Sequence, residues 1–214
     1  MLNTQSPAYW HTPLHFQWAN IPEQSNHTAL QLSSGGAVGI INVRGLLSDA
    51  AFVAAIDSVL GVALPNAPKQ SVYAAEAAIF WLSPDEWMLV CSHARKNELL
   101  QRLQAACLGV FAQIVDNSGG LMLLQIQGTA ASTFLRHLSP YNIGSLQAGQ
   151  VVSTVLKKTT VVLHKLADDD YVLLFRRSFA DYLWRIFDKT SKPYGYGLSK
   201  HWQFAQPDWQ RYSA

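Results

Sequence analysis

The chain has 214 residues, of which 49% are hydrophobic and 14% charged, with a net charge of +2. That composition supplies a sizeable core and excludes disorder over most of the length. The small positive balance, with basic pairs such as Lys157-Lys158 and Arg176-Arg177 but no basic run, excludes nucleic acid as the expected partner.

The first residues, Met1-Leu2-Asn3-Thr4-Gln5, have no basic segment followed by an apolar one, so no signal peptide is expected. No apolar run reaches the ~18 residues needed to span a bilayer. Cys91 and Cys107 stand in neither a CxxC nor a zinc-ligand spacing. They read as buried small hydrophobes of a reducing compartment. A cytoplasmic protein without membrane contact is the expectation.

Residues 1–36 are rich in Pro, Asn, Gln, Ser and His without a clear period, and read as an extended arm. Val38 to Arg44 reads as a strand. Ser48 is placed to cap a helix with Phe52, Ile56, Val59 and Leu60 on one face, and Gly61 ends it. Two strands, 75–82 and 87–91, flank the turn Ser83-Pro84-Asp85-Glu86, where proline presets φ. A helix over 95–107 and a strand over 110–115 complete a βαββαβ unit.

After the turn 116–120 the order begins again. Strand 121–127, helix 129–138, loop 142–150 and strands 159–166 and 171–175 lead to a helix. Ser178 with Asp181 forms a capping-box pattern there. The weakest element is a last strand near 198–204. Asn42-Val43-Arg44-Gly45 matches Gln125-Ile126-Gln127-Gly128. Asp85-Glu86-Trp87-Met88-Leu89-Val90 matches Asp169-Asp170-Tyr171-Val172-Leu173-Leu174. A self-match at a fixed shift of 83 to 84 residues is the signature of duplication. The fold class is therefore α+β, two tandem βαββαβ (ferredoxin-like) units. The first covers 37–116 and the second 117–204, with a tail over 205–214, and together they form one compact domain.

No catalytic constellation emerges. The seven histidines are scattered, and Pro13 between His11 and His15 argues against a helical metal pair. Asp168-Asp169-Asp170 lacks the 12-residue alternation of an EF-hand. Neither a nucleophile elbow nor a P-loop is present, and Gly35-Gly36-Ala37-Val38-Gly39 precedes a strand where a dinucleotide motif would follow one. Cys91 and His93 could share a strand face, but no third group orients them. No catalytic, cofactor-binding or metal residue is assigned. The aromatics of the terminal segments are more informative. Trp10, Trp18, Trp202 and Trp209 lie outside the repeats. They either wrap this chain's own core or dock into a partner, since Trp and Tyr are common interface anchors. With Arg177 they are the interface candidates.

One stretch carries a family resemblance. Phe80-Trp81-Leu82-Ser83-Pro84-Asp85-Glu86-Trp87-Met88-Leu89 resembles the "WLGPDEWLL" segment of the gamma subunits of heterotetrameric sarcosine oxidases. Asn42-Val43-Arg44-Gly45 resembles their "NLRG". Leu60-Gly61-Val62-Ala63-Leu64-Pro65 resembles "LGLALP", and Val115-Asp116-Asn117-Ser118-Gly119-Gly120 resembles "VDVSDGR". Leu163-His164-Lys165 resembles "LLHR", and Arg177-Ser178-Phe179-Ala180-Asp181-Tyr182-Leu183-Trp184 resembles "RSFAESLW". The likeness spans residues 38 to 190.

The resemblance implies a fold shared with folate-binding aminomethyltransferases and a non-catalytic assembly role beside alpha, beta and delta subunits. Those subunits are expected to carry FAD, FMN, NAD and tetrahydrofolate. The transferases use an aspartate on the strand that here reads Val161-Val162-Leu163-His164, and no carboxylate stands there. The "KGCYxGQ" stretch of a protein-modifying relative is also missing. Both departures argue against the rival expectation, a stand-alone folate-binding aminomethyltransferase. A regulatory binding module on the same fold is a third reading.

Overall fold

The computed structural model describes residues 13–23, 29–35 and 38–202 of the chain. A short helix α1 (His15–Trp18) and strand β1 (Gln31–Gly35) come first. Then follow β2 (Val38–Arg44), α2 (Ala50–Leu60), β3 (Ser71–Tyr73), β4 (Ala77–Ser83), β5 (Glu86–Ser92), α3 (Lys96–Ala106) and β6 (Gln113–Asp116). The second series is β7 (Leu121–Gln127), α4 (Ala131–Arg136), β8 (Val151–Leu156), β9 (Thr159–Ala167), β10 (Asp170–Arg176), α5 (Ala180–Ser191) and β11 (Gly197–Trp202).

The strands form two sheets, ordered β3-β4-β5-β2-β6 and β11-β1-β7-β10-β9-β8. Within the first sheet every pair is antiparallel. The architecture is mixed α+β. Both faces of each sheet are buried, which is why the strands read as nearly continuous apolar runs. On β5, Trp87, Leu89 and Cys91 pack with α2 and α3, while Met88 and Val90 face the other sheet. On β10, Tyr171, Leu173 and Phe175 pack on the helix side, and Val172 and Leu174 face inward. The period-2 geometry of a strand makes this division. The result is helices, sheet, sheet, helices.

The two sheets repeat one another in register. Arg44 pairs with Glu86 and Val43 with Trp87; Gln127 pairs with Asp170 and Ile126 with Tyr171. Asn42 Nδ2 donates to Glu86 Oε1 at 2.9 Å, and Gln125 Nε2 donates to Asp170 Oδ1 at 2.9 Å. The Gly45 amide donates to the Asp85 carbonyl at 3.1 Å, and the Gly128 amide to the Asp169 carbonyl at 3.0 Å. The loops entering β3 and β8 repeat too. The Ala67 amide donates to Gln70 Oε1 at 3.1 Å, and the Gln147 amide to Gln150 Oε1 at 3.0 Å. Lys69 and Gly149, each just before that glutamine, both take positive φ, at 69° and 80°.

Several local expectations are corrected. Residues 31–35, expected within the arm, form β1 between β7 and β11. Strands β3 and β8 were not expected; β3 has three residues, all half-buried, too few for alternation to show. Helix α2 is capped by Asp49, whose carboxylate accepts from the Ala51 amide at 2.9 Å, and Ser48 lies one residue outside. The Ser178–Asp181 capping box does not form, because a 3₁₀ turn over Arg177–Phe179 makes Phe179 the cap residue of α5. Asp181 instead accepts from Arg185 at 2.8 Å and from Gln17 at 3.0 Å, tying α1 to α5.

Candidate functional site

A ligand entering between the two sheets would have to displace the side chains packed there. The layer is filled by Val38, Ile40, Ala78, Phe80, Met88 and Val90 from one sheet, packed on Leu123, Val151, Val162, Val172 and Leu174 from the other. One ionisable side chain sits among them. His164, on β9 opposite Val172 and Val151, is fully buried. Its Nε2 lies 3.1 Å from the Tyr73 hydroxyl of β3, and its ring centroid lies 4.8 Å from that of Phe80. Burial holds its pKa down to about 4, with the hydrogen bond to the Gly149 carbonyl acting the other way. The imidazole is therefore neutral at pH 7. With its proton on the nitrogen facing Gly149, Nε2 accepts from Tyr73.

Ser71 extends the cluster. Its hydroxyl lies 3.2 Å from the Tyr73 oxygen and 2.5 Å from the Gly149 carbonyl, to which it donates. Burial also raises the Tyr73 pKa, against the opposing bond from Ser71. With a pKa held near 4 the imidazole is a weak base, and its Nε2 is already engaged by the Tyr73 hydroxyl. The cluster joins one sheet to the other. Phe80 and His164 hold equivalent points in the two sheets, and their rings touch at a tilt of 42°. Contact between equivalent positions is what a two-fold relation between halves produces on its axis.

The other candidate chemistry does not assemble. Cys91 faces α2 and α3, and burial pushes its thiol up to about 12, so no thiolate forms beside His93. In the acidic turn, Asp170 accepts from Gln125 and Gln127, and Asp168 meets Lys165 at 3.0 Å. Among the described residues no group of His, Cys, Asp and Glu is arranged to hold a metal ion. Among the same residues no helix is long and apolar enough to cross a membrane.

The surface is more telling. Phe111 is 86% exposed, Leu108 87% and Leu46 51%. Leu46 and Phe111 line one pocket of about 280 Å³ with Arg44, Gly45, Asp85, Ala112 and Gln113. Leu108 follows the end of α3, three residues upstream of Phe111. The Arg44–Asp85 pair, 3.1 Å apart, supplies a polar edge. Sequence periodicity passes over such residues, since an apolar side chain in a turn carries no signal of its exposure.

Of the five interface candidates, Trp18 is 2% exposed and packs edge-on against Trp184 at 5.3 Å. It belongs to this chain's own core, which removes it from the surface offered to a partner. Arg177 is half-buried at the 3₁₀ turn, its amide donating to the Gly120 carbonyl at 3.0 Å. Trp202 ends β11, paired with Gly35. Trp10 and Trp209 lie outside the described residues. Of the described side chains, neither Trp18 nor Arg177 lines the pocket that holds Phe111.

Comparison with known proteins gives a consistent answer. The family model of the sarcosine oxidase, gamma subunit family matches residues 44–192. A sarcosine oxidase subunit gamma from Arthrobacter sp. is 30% identical over 148 residues, covering 68% of this chain and 70% of that protein. A sarcosine oxidase subunit gamma from Corynebacterium sp. (strain U-96) is 29% identical over 182 residues, covering 83% of this chain and 85% of the relative. Among solved structures, a chain of a heterotetrameric sarcosine oxidase from Corynebacterium sp. U-96 superposes with a TM-score of 0.76 at 24% identity, covering 86% of this chain and 96% of that one. The glycine cleavage system aminomethyltransferase T from Bartonella henselae has the same fold, with a TM-score of 0.68 at 16% identity, over 87% of this chain and 58% of that one.

Proposed function

The chain belongs to the sarcosine oxidase gamma subunit family, and on that premise we propose that it is a non-catalytic assembly subunit of a heterotetrameric sarcosine oxidase. The oxidative demethylation of sarcosine is then carried out by alpha, beta and delta partner subunits in the cytoplasm. Those partners hold FAD, FMN, NAD and tetrahydrofolate. The observation that carries the reading is the solvent-facing apolar pair Leu46 and Phe111, lining one pocket beside the polar Arg44–Asp85 edge, with Leu108 exposed three residues before Phe111. Such a group on a folded chain marks a protein contact surface.

We also read the two sheets as two copies of one ferredoxin-like βαββαβ unit, with β1 added to the second. A stand-alone folate-binding transferase finds less support. The strand on which the transferases carry their aspartate here presents a buried, neutral His164 to a filled layer.

The test is co-expression with and without the flavin-carrying chains, followed by size-exclusion chromatography and a flavin spectrum. The chain should elute with the flavin-carrying chains and contribute no flavin absorbance alone. Phe111→Asp combined with Leu108→Asp should weaken that association at least tenfold, the loss expected when apolar anchors are replaced by charge. Tetrahydrofolate binding by the isolated chain, with no association to flavin-carrying chains, would overturn the proposal.

A further inference from the structure

The outer hairpins of the two sheets hold the same place and treat charge in opposite ways. In the first sheet the turn between β3 and β4 carries Glu76. Its carboxylate pairs with Arg95, just before α3, at 3.2 Å, and with Arg102 on α3. Turn and helix are thus tied across the space between them. In the second sheet the hairpin of β8 and β9 has six residue pairs where that of β3 and β4 has three, and its turn carries Lys157 and Lys158. The helix below it, α5, carries Arg185 and Lys189. Like charge now faces like charge, and the space stays open as a groove of about 750 Å³. It is lined by those four cations with Tyr182, Ile186 and Thr190.

Four of the chain's 16 Lys and Arg residues gather there. Among the described residues one carboxylate, Asp181, pairs with any of them, meeting Arg185 at 2.8 Å. Lys157 is turned to the His137 carbonyl at 2.7 Å. Lys158 and Lys189 are exposed and carry no ion pair among the described residues. Tyr182 and Ile186 are half-buried and give the groove an apolar floor. Ile186 stands where Arg102 stands in the other half, so this groove presents an apolar side chain where the first half has an ion pair.

We propose that this groove docks an acidic segment of a partner subunit, bearing a carboxylate that serves here as Glu76 serves in the other half and an apolar side chain for Ile186 and Tyr182. The inference rests on the assembly reading. A protein segment is favoured over nucleic acid because the cations form one short cluster over an apolar floor on a chain of net charge only +2.

The test uses the co-expressed complex. Association of the chain with the flavin-carrying subunits should weaken as ionic strength rises from about 0.05 to about 0.5 M, where charge pairs are screened. Lys158→Glu with Lys189→Glu should weaken it roughly tenfold or more and flatten the salt dependence. Lys158→Gln with Lys189→Gln should give a smaller loss in the same direction. Circular dichroism should be unchanged, since both side chains are exposed. Full association of both double variants with an unaltered salt dependence overturns the groove and leaves the assembly reading standing. Failure of the unaltered chain to associate overturns both. Binding of a short polyphosphate that the partner subunits do not displace also overturns the proposal, because the groove then serves a free anion.

Discussion

The two sheets agree in strand register and loop chemistry and differ at their rims and where their equivalent rings meet. Strand register, the Asn42–Glu86 and Gln125–Asp170 bonds, and the loops held by Gln70 and Gln150 are common to both. They fix how a strand returns beside its neighbour, and a change in any would shift a whole face out of the core. The differences sit at the rim and on the axis. β1 is inserted into one sheet only, α4 has six residues where α2 has eleven, and His164 answers Phe80. The first hairpin carries Glu76 at its turn and the second carries Lys157 and Lys158. Two sheets that share one packed layer can vary at such points without loss of the fold.

The largest effect should come from the shared core. Trp87 and Tyr171 hold equivalent positions and are fully buried, and Trp87 Nε1 also donates to the Pro65 carbonyl at 2.8 Å. Trp87→Ala and Tyr171→Ala should each destabilise by about 3–5 kcal/mol in urea unfolding. Because the layer between the sheets is continuous apolar packing, both variants should move one common transition. A separate transition for each half would break the claim that the sheets form one body.

Much of this was legible in the sequence, and unevenly. Strands β2 and β7 fall on the expected residues because each is a nearly continuous buried run that ends on a polar residue, Arg44 or Gln127. The hairpin at Pro84-Asp85 is set by turn chemistry within a few residues. Strand β1 escaped because its partners, β7 and β11, are distant in sequence, β3 because it has three residues, and β8 because Ser153 and Thr154 interrupt its apolar run. The fixed shift of 83 to 84 residues found the strong matches but passed over Gln70 and Gln150. These correspond at a shift of 80, because the second hairpin is longer. The exposure of Phe111 and the opposed charges of the two hairpins are properties of folded surfaces, which no local pattern announces. The resemblance to gamma subunits located the family, and Trp18 shows how an aromatic in a terminal segment can belong to the core.

The next effect in size tests the axis. Burial lowers the His164 pKa from 6.5 to about 4, so the unfolded chain takes up this proton first as the pH falls. The contribution of the neutral, buried ring is complete above pH 6.5 and is lost as the pH drops toward 4. At about 1.4 kcal/mol per pH unit the full loss is about 3 kcal/mol. His164→Phe, which copies Phe80, should hold stability within about 1 kcal/mol at pH 7, because Ser71 still reaches the Tyr73 hydroxyl. It should then lose about 3 kcal/mol less than the unaltered chain on going to pH 4. Parallel pH profiles for the two chains would show that the ring is not the group that titrates.

The smallest effect probes the loop the two halves share. Gly149 has a φ of 80° and open space where a Cβ would stand; Lys69 takes a φ of 69° at the equivalent point. Steric exclusion is therefore not why glycine is there, and the cost of a side chain reduces to backbone conformation. Gly149→Lys should destabilise by about 1 kcal/mol, the usual penalty for a side chain in left-handed backbone. Lys69→Gly should relieve the same strain but free the unfolded chain, so its gain should stay under about 1 kcal/mol. A loss of several kcal/mol on Gly149→Lys would mean that the Gly149 carbonyl, held by the Ser71 hydroxyl from the other sheet, had moved. The two loops would then be equivalent in shape but not in what they hold together.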